Sequence, residues 1–361
     1  MFSKSRHHYV PVLFWKRAEQ AALRSLAAGT KAAMTPLLQI TPIPIDQKTG
    51  APRTTLPKYG AECVNQLVDS WGVDDDFFLD CERIAGASLH GKTGADLVFD
   101  GASAASLPFV PTIGPQSQPA TIAAALRNRQ RGVALRLSTQ SLGSPSAGAG
   151  VLQFAKAHGL SPSTTDIVVD LGALSNQDQF VVFAVAVAVL ARVPNIASWR
   201  TLTIVASSFP ASTSAVASST VAMIDRAEWL AWQTLRAPPV AVSRLPTFGD
   251  FGIQHPAGVE GFDPQTMQVS ANIRYTTGNQ WMIMKGVGSK KTPLATQYPK
   301  LARALTQSTH FAGSGHCDGC DDILSCAGGA GGFGSPTPWR RIGTAHHIET
   351  AATQLGQLPF P

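Results

Sequence analysis

The chain has 361 residues, of which 44% are hydrophobic and only 14% charged. That composition excludes a disordered tail and a coiled coil, both of which carry far more charge. Lys and Arg number 29 against 23 Asp and Glu, a net charge of +6. This balance suits an anionic partner without demanding one, because the excess is diluted over a large chain.

Taken in order, residues 9–14 (YVPVLF) are the first of eight short apolar runs. The others lie at 36–41, 77–81, 108–113, 133–137, 166–171, 201–206 and 240–245. Continuous apolar character, rather than strict alternation, predicts strands of a parallel sheet covered on both faces. Helical patterns at 18–28, 62–71, 94–106, 121–130, 151–158, 179–191 and 220–236 separate them. Phe14-Trp15-Lys16-Arg17 follows the first strand where an open dinucleotide-binding sheet would carry glycines, so the expected fold is α/β, a (β/α)8 TIM-like barrel.

From residue 246 the rhythm changes. A loop (PTFGDFGIQHP) precedes a hairpin (ANIRYTTGNQWMIMKG) turning at Thr277-Gly278-Asn279. A helix around 298–307, a Gly/Cys-rich loop and a final helix starting near His346 follow. The expected organisation is a barrel over 1–250 and a C-terminal elaboration over 251–361, packed across the barrel mouth as part of the same structural unit.

The N-terminal apolar run is interrupted by Pro11 and followed by Lys16 and Arg17, too short for the core of a secretion signal. Residues 180–190 are the most apolar stretch and fall short of the roughly 18 residues of a membrane span. The 5 cysteines are odd in number, and Cys63 and Cys81 fall inside predicted elements, which argues against a secreted disulfide framework. A cytoplasmic protein without a membrane partner is expected.

Several segments are similar to a known family. HYVPVLFWKRAEQAALRSL followed by TPLLQITPIP, and later FGDFGIQHP, IRYTTGNQWMIMKG, HCDGC and WRRIGTAHHIETAATQL, resemble in order and spacing the hallmark segments of the beta protein (beta family protein) family of bacteria and phages. The resemblance implies a protein of phages, prophages and mobile defence-like loci, with an intracellular role in phage–host conflict. It carries over no reaction.

In a (β/α)8 barrel the C-terminal strand ends line the functional mouth. There the sequence places Lys16 and Glu19, Asp80, Glu82 and Arg83, Arg136, Asp170, and Asp250. Asp80, Glu82, Asp170 and Asp250 are the candidate acid/base groups, assisted by His346 or His347, and the carboxylates also suit a divalent metal. Lys16, Arg136, Arg274, Lys285, Arg340 and Arg341 are the candidate phosphate-binding groups. Each has a plainer alternative: an Arg136–Asp170 ion pair, a turn at the glycine-flanked Asp250, or a solvated hairpin bearing Arg274 and Lys285 beside Tyr275 and Trp281. In WRRIGTAHHI, Thr344 reads as the N-cap of the last helix, with Arg340 and Arg341 before an anion site at its start.

HCDGC pairs Cys317 with Cys320 beside His316, with Cys326 in the same loop and His346-His347 further on. Thiolates and imidazoles so spaced suit zinc; a reduced, partly buried loop is the alternative. No nucleophile elbow, Walker loop or HExxH is present. The functional expectation is a barrel that binds or processes a phosphorylated small molecule, nucleotide or nucleic acid. If it is an enzyme, a phosphoester- or nucleotide-directed hydrolase is the first choice. The alternative is a non-catalytic scaffold whose C-terminal region, with Trp281 and Phe251, docks a protein partner encoded nearby, such as a nuclease-like neighbour.

Overall fold

The computed structural model describes residues 8–46, 48–237, 242–258 and 269–359. In chain order the elements are β1 (Tyr9–Phe14), α1 (Arg17–Ser25), the short α2 (Ala28–Ala32), β2 (Leu37–Gln39), α3 (Leu56–Ser70) and β3 (Phe77–Asp80). A ribbon of two-residue strands, β4 (Ser88–Leu89) and β5 (Lys92–Thr93), precedes α4 (Gly94–Ala104). Then come β6 (Phe109–Ile113), α5 (Pro119–Arg127), β7 (Val133–Ser138), α6 (Ala147–Ala157), β8 (Thr165–Ala173), α7 (Gln179–Leu190) and β9 (Thr201–Ser207). The remainder is β10 (Thr220–Asp225), α8 (Ala227–Arg236), β11 (Thr247–Asp250), β12 (Ser270–Thr277), β13 (Gln280–Gly288), α9 (Leu294–Thr306), α10 (Asp318–Ala327) and α11 (Pro336–Gln357).

Eight parallel strands close into a barrel in the order β1-β2-β3-β6-β7-β8-β9-β11, with β11 paired back onto β1 through Tyr9 and Phe248. The expected (β/α)8 barrel is therefore present. Strand alternation sorts its apolar residues into two layers. Val10, Val12, Leu37, Phe78, Val168 and Val205 fill the interior, and Phe251 closes it at the end where the strands finish. Tyr9, Leu13, Leu38, Leu79 and Val169 point outward, into the larger core shared with the helices. Local signals match: Thr93 and Asp96 form a capping box at α4, and Asp178 caps α7 by accepting from the amides of Phe180 and Val181.

The segment after β11 runs over the C-terminal end of the barrel. Ser207 Oγ donates to the Gln254 carbonyl (3.0 Å), and Arg83 donates to that of Pro256 (2.8 Å). Beyond it, an antiparallel sheet in the order β10-β13-β12 is covered by α9 and α11, with α10 packed against both helices, and its core holds Ile273, Tyr275, Met284, Tyr298 and Ile323. Helix α11 joins the two cores. Trp339 and Ile342 near its start belong to the sheet's core, whereas Ala345, Ile348, Ala351 and Leu355 pack into the barrel's outer layer. It is thus the eighth barrel helix; β12, β13, α9 and α10 stand between β11 and that helix, while β10, the third strand of the sheet, comes earlier, between β9 and α8.

Four expectations need correction. The eighth strand is Thr247–Asp250 rather than 240–245; residues 240 and 241 lie outside the described residues. Gly249, read as part of a loop, is in the strand because it is squeezed: a Cβ there would sit 2.5 Å from the Val10 carbonyl oxygen and 2.6 Å from Val205 Cγ1. The helix expected over 220–236 is a strand followed by a helix; Thr220–Asp225 is the edge of the antiparallel sheet, paired with β13. The last helix begins at Pro336, where prolines are tolerated because first-turn amides have no intrahelical partner. Thr344 is consequently a buried mid-helix residue, and the anion site at a helix start beside it does not exist. Finally, the Gly/Cys-rich loop contains a helix, α10, capped by Cys317.

Candidate functional site

The residues singled out from the sequence fall into four separate places. The first is the barrel mouth, where a cavity of about 340 Å³ is lined by Gln39, Asp80, Glu82, Arg83, Thr112, Arg136 and Asp170 among others. Arg136 lies between two carboxylates, with Nη1 2.6 Å from Asp80 Oδ2 and Nη2 2.6 Å from Asp170 Oδ2. Burial works against its charge, and Asp170 and Asp80 outweigh burial, so its pKa rises. The other carboxylate oxygens are also engaged: Asp80 Oδ1 accepts from the Glu82 amide and Asp170 Oδ1 from that of Gly172, each at 2.8 Å. Both carboxylates are thus engaged with Arg136 on one oxygen and with a backbone amide on the other. Burial raises the Glu82 pKa, and Asp80 adds to it. Lys16, at the end of β1, places its ammonium over the Phe14 ring (5.5 Å).

The second place is sealed. Asp250 accepts from Tyr9 Oη (2.5 Å), from His347 Nε2 (2.9 Å) and from the Gly252 amide (2.9 Å), with Arg226 Nη2 at 3.8 Å. Asp250 and His347 are both 0% exposed. Nearby Glu228 accepts from the Ser208 amide (3.0 Å), and its carboxyl is pushed up to about 7 by burial and then by Asp250. A ligand cannot reach Asp250 or His347 without opening the packing between α11 and the barrel. Tyr9, Arg226 and Glu228 were not singled out from the sequence. Their polar character inside apolar elements was the available signal, since a buried ion needs partners.

The third place is a cavity of about 710 Å³ bounded by β12, β13, α9, the start of α11 and the 211–214 loop. It gathers Arg274, Lys285 and Arg340, which the sequence singled out separately, and adds Asn272, Tyr298 and Trp339. Tyr298 and Trp339 stack, with ring centroids 4.8 Å apart and planes 14° apart. Lys285 is already occupied, donating to the carbonyls of Thr213 (2.9 Å), Val216 (2.7 Å) and Ser214 (3.3 Å). It anchors the loop on one side of the cavity. Arg274 donates to the Ile253 carbonyl (2.8 Å) and lies over the Phe209 ring (5.0 Å). Burial, reinforced by Arg340, lowers the Arg274 pKa to about 9. Neither Arg274 nor Arg340 forms an ion pair with an acid among the described residues, and Arg340 has no hydrogen bond there either. Arg341 is turned elsewhere, paired with Asp322.

The fourth place is the start of α10 against α11. Cys317, Cys320 and His346 converge there. Of the other residues linked to this motif, Cys326 is buried in the core under the sheet, and His316 contacts Thr350 Oγ1 (3.1 Å).

Residues 9–353 match the family model described as Beta protein. The chain belongs to the Beta protein family. The match runs from the first barrel strand to the last turns of α11, so the barrel and the inserted sheet are both within the family's span. No curated protein matches this Beta protein family chain, and no helix among its described residues is long and apolar enough to cross a membrane.

Proposed function

We propose that this Beta protein family member binds a phosphorylated, nucleotide-like ligand in the Arg274–Arg340 cavity. The observation that carries the reading is that Arg274 and Arg340 share one cavity and form no ion pair among the described residues, the buried Glu19 being the acid in electrostatic range of both. A guanidinium held among apolar groups and facing another cation gains most from an anion, and its forked donors match phosphate. No carboxylate or imidazole lines this cavity among the described residues, which favours binding over hydrolysis of a phosphoester. A nucleotide or nucleic-acid ligand in the cytoplasm suits the role in phage–host conflict that the resemblance implies.

Titration calorimetry with ATP, ADP and short single-stranded oligonucleotides tests the reading. Binding is expected to weaken at least tenfold in Arg340→Ala, with an unchanged Tm, and to weaken with salt. Absence of binding by the native protein, or equal binding by Arg340→Ala, overturns it.

A second reading is docking of a protein partner encoded nearby. It draws support from β10, an edge strand whose Val221 and Met223 are exposed, because an unpaired edge with apolar side chains invites strand addition. Trp281 and Phe251 are buried and so would not supply that surface. Co-purification with the neighbour, lost in Val221→Glu, would support this reading.

A further inference from the structure

We propose that Cys317, Cys320 and His346 form a zinc site with the fourth position held by water. Cys317 Sγ and Cys320 Sγ are 3.5 Å apart, and His346 Nδ1 lies 3.6 Å from the first and 3.4 Å from the second. Tetrahedral zinc with ordinary bond lengths requires about 3.8 Å between two sulfurs and about 3.6 Å between sulfur and nitrogen. The three donors thus already outline one face of such a tetrahedron. A dithiol packed beside a histidine has no comparable reason to adopt this triangle. One sulfur near Nδ1 would satisfy the ring, and a second thiol gains little from the first because S–H is a weak donor.

The surroundings fix the orientation of each donor. His346 Nε2 is 2.8 Å from the Thr276 carbonyl oxygen, which only accepts. Nε2 therefore carries the proton, and the Nδ1 lone pair faces the sulfurs. Tyr275 stacks on the imidazole, centroids 3.8 Å apart, and fixes its plane. Cys317 caps α10, and its sulfur accepts from the Cys320 amide (3.3 Å), which fixes its position at the helix start. Gly319 explains the composition of the motif: a Cβ there would meet the Ile342 carbonyl oxygen at 2.7 Å, so only glycine brings the two cysteines this close to α11.

No other group of at least three His, Cys, Asp or Glu donor atoms converges in this way among the described residues. The ion would tie α10 to the eighth barrel helix and, through the His346–Thr276 contact, to the hairpin.

The test is elemental analysis of protein produced with added zinc and purified without chelator. About one zinc per chain is expected, lost in Cys317→Ser, Cys320→Ser and His346→Ala and kept in Cys63→Ser, Cys326→Ser and His316→Ala. To separate metal loss from misfolding of a ligand variant, native protein stripped with a chelator is also titrated with Co²⁺. Thiolate-to-cobalt charge-transfer absorption and a Tm that rises with free metal concentration are expected. Zinc-free protein that binds no Co²⁺, with both thiols free or joined in a disulfide, overturns the proposal, as does retention of stoichiometric zinc by Cys317→Ser.

Discussion

His347 donates to Asp250 across 2.9 Å at a point where neither side chain is exposed to solvent. The other ring nitrogen, Nδ1, is 2.8 Å from Thr276 Oγ1, so the imidazole links the end of β11 to the hairpin strand β12. Both groups sit at positions that would be catalytic in many barrels, and here each is buried and hydrogen-bonded within the fold. His347→Ala is expected to lower unfolding free energy by about 3 kcal/mol, since it leaves a buried carboxylate short of a partner. Nucleotide binding by the folded fraction should not change. Denaturant titration and calorimetry at one temperature check both halves. The same reasoning applies to Asp250→Asn, whose effect should appear in stability.

The pH dependence of this region has opposing parts. Burial opposes the Asp250 charge, and contacts from His347, Arg226 and Tyr9 outweigh it, holding the carboxyl at about 2. Its contribution is complete above the ordinary carboxylate value and is lost as pH falls toward 2. Burial lowers the His347 pKa despite Asp250; its contribution is complete above about 6.5 and declines on acidification. Glu228 runs the other way. With its carboxyl raised to about 7, it contributes fully below its ordinary value and loses that contribution as pH rises through 7. Between pH 5 and 8, native protein should therefore lose stability relative to Glu228→Gln, by up to about 3 kcal/mol. Parallel denaturation curves of the two proteins at pH 5 and pH 8 measure this, and a constant difference would refute it.

How far the sequence reveals this molecule depends on the range of the interactions involved. Seven barrel strands are legible as apolar runs because their burial on both faces is written locally. β10 is not, because its strand character comes from pairing with β13, far along the chain, and Ala227 continues directly into a helix. The start of α11 is obscured by Pro336 and Pro338, which read as loop residues. Among candidate site residues, Arg274 and Arg340 could be picked out as cations, but their meeting depends on how α11 crosses β12. HCDGC was visible as a ligand motif, whereas the choice of His346 over Cys326 is made by helix packing alone.

Gly249 offers a direct check on barrel closure. Its strand passes so near β1 and β9 that an alanine methyl would overlap the Val10 carbonyl and Val205. Backbone on one side leaves little room to yield, so Gly249→Ala should destabilise by about 3 kcal/mol or more, or prevent folding. Gly278, at the hairpin turn, is a useful contrast. It has φ of +52° but open space around it, and Gly278→Ala should cost only about 1 kcal/mol through backbone strain. Thermal unfolding of the pair separates crowding from conformational preference.

At the barrel mouth, Arg136 is the group on which two carboxylates depend. Removing it in Arg136→Met leaves Asp80 and Asp170 facing one another with their shared cation gone and both largely shielded from water. The expected loss is about 3–5 kcal/mol at neutral pH. Asp170→Asn should cost less, since Arg136 keeps Asp80 and the amide oxygen can still accept from its guanidinium. Denaturant unfolding at pH 7.5 tests the ordering, and an Arg136→Met protein as stable as native would show that water already screens the triad.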